Sequence, residues 1–334
     1  MEPDRHDQGR AEILPARRGG RHARVEYPWV DGKVTRHQPM PHSPVFIHAL
    51  TGRHDAGRAC FMLARNLLMT LQHERLVTFN ADDFLTYSTL RPSITMDKRE
   101  VVNYEPLEIA IDLLRDDEGT ELVLLHGYEP TLRWEEFSDT VTALAEEMQV
   151  RMAIGTRSVA MTFPHTRPVP VLSHGNATAE LAAIGFTLSE EEEPQEWPAS
   201  MATTLEYKIG KRQIPSVGFT AGVPFYAQGT WYPQAGAELI RRISAITDLA
   251  LPLGDLEAAH VHASRDITEE VERDEHVSQA LGLMEKAYDE KVGPDDEWQQ
   301  PFADTPTADE IGAAAEAFLA DLMRNHKTDR PDTP

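Results

Sequence analysis

What most constrains this chain is a change of hydrophobic period that recurs along its middle. At "PVFIHAL" (44–50) the apolar residues run without a break, as in a strand buried on both faces. After "TGRHDAG", Phe61, Leu63, Ala64, Leu67, Leu68 and Leu71 fall at helical spacing. A strand, a glycine-containing loop and a helix in that order open an α/β unit, whose helix covers the sheet. The alternation then continues. "RLVTFN" (75–80) reads as a strand, and "LRWEEFSDTVTALAEEMQ" (132–149) as an amphipathic helix through Trp134, Phe137, Val141, Leu144, Ala145 and Met148. "RMAIGT" reads as a strand, with a second at "VAMTF", and "VPVLSHG" as another. "NATAELAAIG" reads as a short helix with Asn176 as N-cap and Gly185 as its stop. A helix at "ASMATTLEYKIGKRQ" starts near Ser200, and "IPSVGFTAGVPFY" is the last core strand. "PQAGAELIRRISAITDLAL" is a helix opened by Pro233 in its first turn. In 107–127, Ile109, Ile111 and Leu113 alternate and "DDEGT" breaks the run, which favours two adjacent strands over a helix.

Three segments depart from this rhythm. Residues 82–105 hold two short stretches around the turn "MDKRE", with Tyr87, Ile94, Val101, Val102 and Tyr104 spread along them. They read as an inserted β-hairpin, and because a lone hairpin is marginal in water, as an oligomer contact. Residues 253–334 carry 21 acidic and 7 basic side chains and no strand signal. They read as a helical subdomain, with one long helix at "RDITEEVERDEHVSQALGLMEKAYDEKV". A second, at "TADEIGAAAEAFLADLMRNH", is capped by a Thr307–Glu310 box. Residues 1–43 are mildly basic and poor in apolar groups. They read either as a disordered tail or as an arm anchored by Tyr27, Trp29 and Val30. The core is then 44–252, an α/β domain with the hairpin inserted.

The 334 residues carry a formal charge of −23, and no basic face suited to phosphate contacts is evident, which argues against nucleic-acid binding. No apolar run reaches the ~18 residues of a membrane span, and the charged N-terminus has no secretory h-region, so a cytoplasmic, membrane-free protein is expected. The single cysteine, Cys60, leaves no internal disulfide or cysteine-based metal site. Fourteen histidines invite a metal site, but "HVH" at His260 and His262 lacks a carboxylate set at HExxH spacing, and no metal is expected. The chain has no GxGxxG, no GxxxxGK[ST] and no GxSxG, so no nucleotide cofactor or serine triad is expected.

Ligands of open α/β sheets bind beyond the carboxyl ends of the strands. The residues expected there are His54 and Asp55 after the first strand, then His126, Glu129 and Trp134, then His165 and Arg167, then Tyr226. In "FPHTRPVPV" the prolines stiffen the backbone, and two residues apart on an extended segment His165 and Arg167 would face one side. One reading makes His165 a general base, Arg167 an anion holder and Glu129 a further acid or base, with His54, Asp55, His126, Trp134 and Tyr226 as ligand contacts. The other makes Arg167 the partner of a structural acid, Asp55 a helix cap and Glu129 a loop carboxylate.

"HDAGRA", "LLHGYEPTLRWEEF", "FPHTRPVPV" and "PSVGFTAGVPFY", with the acidic helical tail, resemble the actinobacterial branch of the proteasome assembly chaperone 2 family. The likeness runs from about 44 to 320. The resemblance implies a three-layer α/β/α core like that of purine nucleoside phosphorylases, an oligomerising hairpin, a homotrimer and a helical lid over a cleft. Two blocks depart from the family pattern: "TGRHDAG" stands where it reads "GWNDAG", and "GTRSVAMTF" where it reads "GIPMDV". The expected functions are binding of a small anionic or nucleoside-like ligand under the lid, with or without catalysis, or scaffolding through protein contacts.

Overall fold

The computed structural model describes residues 43–88, 90–185, 196–273 and 275–291. Its centre is a seven-stranded sheet in the order β2-β5-β6-β1-β7-β9-β8. The strands are β1 (Val45–Thr51), β2 (Gln72–Phe79), β5 (Ile109–Arg115), β6 (Glu121–Tyr128), β7 (Met152–Met161), β8 (Val171–Gly175) and β9 (Ser216–Pro224). β6, β1, β7 and β9 are parallel, while β8 and the β5–β2 pair run antiparallel at the two edges. The unbroken apolar runs are the strands buried on both faces: β9 is buried along its whole length, and β1 at all but its last residue.

On one face lie α1 (Ala59–Thr70) and α6 (Pro233–Thr247), packed over Ile47, Leu124, Ile154 and Phe219. On the other lie α3 (Trp134–Glu147) and α5 (Met201–Lys211), over Phe46, Leu125 and Ile111. There Phe79, Phe84 and Phe137 form an aromatic cluster whose ring centres lie 4.8–5.9 Å apart. α5 begins in a full capping box between Ser200 and Thr203. The three-layer α/β/α reading holds, as do the paired strands in 107–127.

The insertion contains a short helix, α2 (Ala81–Phe84), and then the hairpin of β3 (Ser93–Asp97) and β4 (Glu100–Glu105). Its two-residue turn is Lys98–Arg99, with Lys98 at φ 56°. α4 (Thr178–Ala183) follows β8. Beyond the core, α7 (Leu256–Glu272) packs on α6 and α8 (Glu275–Lys291) on α7.

Three local expectations are corrected. "VAMTF" is not a second strand: β7 runs on to Met161 because β9 accompanies it through the pair Met161–Pro224. Asn176 does not cap α4; its Oδ1 accepts from the Ser216 N–H at 2.7 Å, tying the end of β8 to the start of β9. The helix expected over 265–292 is two helices, the first beginning at Leu256 and ending at Glu272. The N-terminal arm and the helix expected at 307–326 lie outside the described residues.

Candidate functional site

The proline-rich segment turns rather than extends. Arg167 N–H donates to the Pro164 carbonyl at 3.1 Å, closing a β-turn, so His165 and Arg167 do not share a side. His165 points inward and is 2% exposed. Its amide donates to the Tyr226 hydroxyl at 2.8 Å, which directs the hydroxyl proton to His165 Nδ1 at 2.9 Å. Nε2–H is then the donor to Thr268 Oγ1 of α7 at 3.0 Å, and the Thr268 proton goes to the Ser264 carbonyl at 2.9 Å. This chain fixes one neutral tautomer. Burial lowers the His165 pKa, against a smaller opposing pull from Glu285. Burial also pushes the Tyr226 hydroxyl up to about 12.

Arg167 makes a two-bonded pair with Asp289 of α8, Nε–Oδ1 at 2.6 Å and Nη2–Oδ2 at 2.7 Å. Thr166 donates to Glu285, and Tyr288 Oη to the Pro168 carbonyl at 3.1 Å. The residues read as base and anion holder therefore clasp α7 and α8 to the core, and Arg167 does pair with a structural acid.

Other candidates gather at the carboxyl ends of the parallel strands. Glu129, after β6, accepts from the Met201 N–H at 2.7 Å, placing its charge at the N-terminus of α5. Gly52 lacks a Cβ where one would collide with that carboxylate. Asp55 accepts from Cys60 N–H at 2.7 Å and from Phe61 N–H at 3.4 Å, which makes it the anchor of α1. Its pKa is raised by burial, in opposition to those bonds. His54 lies beside Arg157 and Glu129; burial, then Arg157, lowers its pKa, and its Nδ1 is buried with no hydrogen-bond partner among the described residues.

Three residues that sequence reading did not single out complete this polar group. Arg157 of β7 donates to His174 Nε2 at 3.1 Å and to Thr220 Oγ1 at 2.9 Å. His174 of β8 must then carry its proton on Nδ1 and donate to Glu206 of α5 at 2.9 Å. Burial is the first cause of the lowered Arg157 pKa. A signal was present: Gly155 and Gly218 are neighbours within β7 and β9, and a strand glycine marks close approach. His48, Gly155, Gly218 and His174 form one row across four strands, each imidazole lying over a glycine.

The remaining candidates lie apart. His126 is on the α1 side of the sheet, where Nε2 meets Asp112 Oδ2 at 2.6 Å, and Arg75 Nε donates to the other Asp112 oxygen at 2.7 Å. Trp134 donates to Thr204 at 3.3 Å and joins α3 to α5. Among the described residues no group of three or more His, Cys, Asp or Glu could hold a metal, and no helix is long and apolar enough to cross a membrane.

Two cavities flank the clasp. One, of about 400 Å³, lies between the proline-rich turn, α6 and α7, and is lined by Arg167, Arg241, Arg242, His260, Gln234 and Glu238. The other, of about 1270 Å³, is an apolar groove between α1 and α7 with Tyr226, Ala227 and Pro233 among its lining residues. Its rim includes Met69, 71% exposed, and Trp231, 51% exposed.

A mixed seven-stranded sheet with helices on both faces is an α/β architecture with solved members. The PAC2 family model matches residues 49–273, and the chain belongs to that family. A Mycobacterium tuberculosis protein of unknown function is 31% identical, with a TM-score of 0.73 over 81% of this chain and 92% of its own. A Corynebacterium glutamicum protein of unknown function is also 31% identical, with a TM-score of 0.69 over 80% and 96%. A Mycobacterium tuberculosis proteasome-assembly chaperone homologue is 27% identical, with a TM-score of 0.61 over 71% and 99%. Among curated proteins, none matches the chain.

Proposed function

We propose that this protein acts by holding protein partners, itself first among them, rather than by catalysis. The hairpin carries this reading. Every residue of β3 and β4 is exposed, and Ile94, Met96, Val101, Val102 and Tyr104 are each 53–61% exposed, on both faces of the ribbon. A two-stranded ribbon with apolar groups on both faces is not self-sufficient in water and needs a covering surface. The groups expected to do chemistry point the same way, since His165, Arg167, Glu129 and Asp55 are each committed to holding helices. The relative described as a proteasome-assembly chaperone homologue supports an assembly role. A homo-oligomer, with the three copies that the family resemblance implies, follows. Replacing the exposed ribbon Ser93–Glu105 by a short glycine-serine linker, which keeps the buried Phe84 and Leu85, is expected to lower the mass by light scattering while leaving the circular dichroism melt cooperative. An unchanged mass would sink the reading.

A second reading rests on the 400 Å³ cavity, in which the guanidinium groups of Arg167, Arg241 and Arg242 gather beneath the helical subdomain. A small anion such as a phosphate or a carboxylate would bind there by displacing the carboxylates that now hold these groups, Asp289 on Arg167, Glu257 on Arg241 and Glu238 on Arg242. A ligand at ~100 times its dissociation constant adds ~2.7 kcal/mol to stability. A thermal-shift screen of phosphates and small acids is expected to give a rise that Arg241→Ala abolishes. A flat screen would remove the anion site.

A further inference from the structure

We draw no further inference here: the strongest candidate, the polar cluster of His54, Glu129, Arg157, His174 and Glu206 beneath α5, belongs to the site already described, where Arg157, His174 and Glu206 bond one another across β7, β8 and α5 and Glu129 holds the start of α5, and nothing in the structure shows what ligand would displace those bonds.

Discussion

Gly218→Ala is expected to lower the melting temperature by roughly 1–4 °C, and His174→Ala in the same chain to recover part of the loss. The row His48–Gly155–Gly218–His174 explains why. A Cβ on Gly218 would lie 2.1 Å from His174 Cε1 and 2.7 Å from Glu206 Oε2. The imidazole cannot swing away freely, because Glu206 holds one nitrogen and Arg157 the other. Forcing extra atoms into such packing costs about 1–3 kcal/mol, and at ~2.1 cal/mol/K of unfolding entropy per residue each kcal/mol moves the melting point of a 334-residue chain by about 1.4 °C. His174→Ala alone removes both bonds and should cost stability too. In the double variant the methyl group occupies space the ring has vacated, so the two losses should not add, and a coupling of about 0.5–3 kcal/mol is expected. Melting must be compared at one protein concentration, since self-association shifts it. Additive losses, or a Gly218→Ala chain that melts with the wild type, would show that the ring does not rest on that glycine.

That row also marks the limit of what a single sequence discloses. β1, α1, α3, α5, β9 and α6 were legible because each holds its own period, and the hairpin because "MDKRE" punctuates two exposed apolar stretches. Strand neighbours were not legible. β1 lies between β6 and β7, strands that begin about seventy and a hundred residues further on, and nothing local encodes this. Arg157, His174 and Glu206 meet only because β7, β9 and β8 adjoin in that order beneath α5. For the same reason the proline-rich turn looked like a ligand site. Its stiffness and its polar heads are local and visible, whereas its partners Thr268, Glu285 and Asp289 lie over a hundred residues away. The break between α7 and α8 was missed because no glycine or proline marks it and the helical pattern continues across.

Lowering the pH from 7.5 to 5.5 is expected to loosen α7 and α8, in addition to a general loss of core stability from His48, whose pKa burial holds at about 3. His165 is neutral in the clasp, where Nδ1 accepts from Tyr226 and Nε2–H reaches Thr268. Its folded pKa lies below the ordinary value of 6.5, chiefly through burial. The detached state therefore binds the proton more readily. The stability His165 lends to docking is complete above about pH 6.5 and declines as the pH falls below it. The Arg167–Asp289 pair acts in a different window. Asp289 has its pKa lowered by Arg167, so its contribution persists through this range and is lost only below the ordinary carboxylate value of 3.8. His260 of α7 is also held below its ordinary value, by burial and then by Arg241, and adds to the same trend. Hydrogen exchange of residues 256–291, with the amides of β1 and β9 reporting the core's own loss, separates the two effects. His165→Gln keeps a polar group in the turn without a titrating nitrogen, and its pH slope should shrink to what His260 supplies. Equal slopes in variant and wild type, or helices equally protected at both pH values, would separate His165 from the hold on α7 and leave the Arg167–Asp289 pair as the clasp.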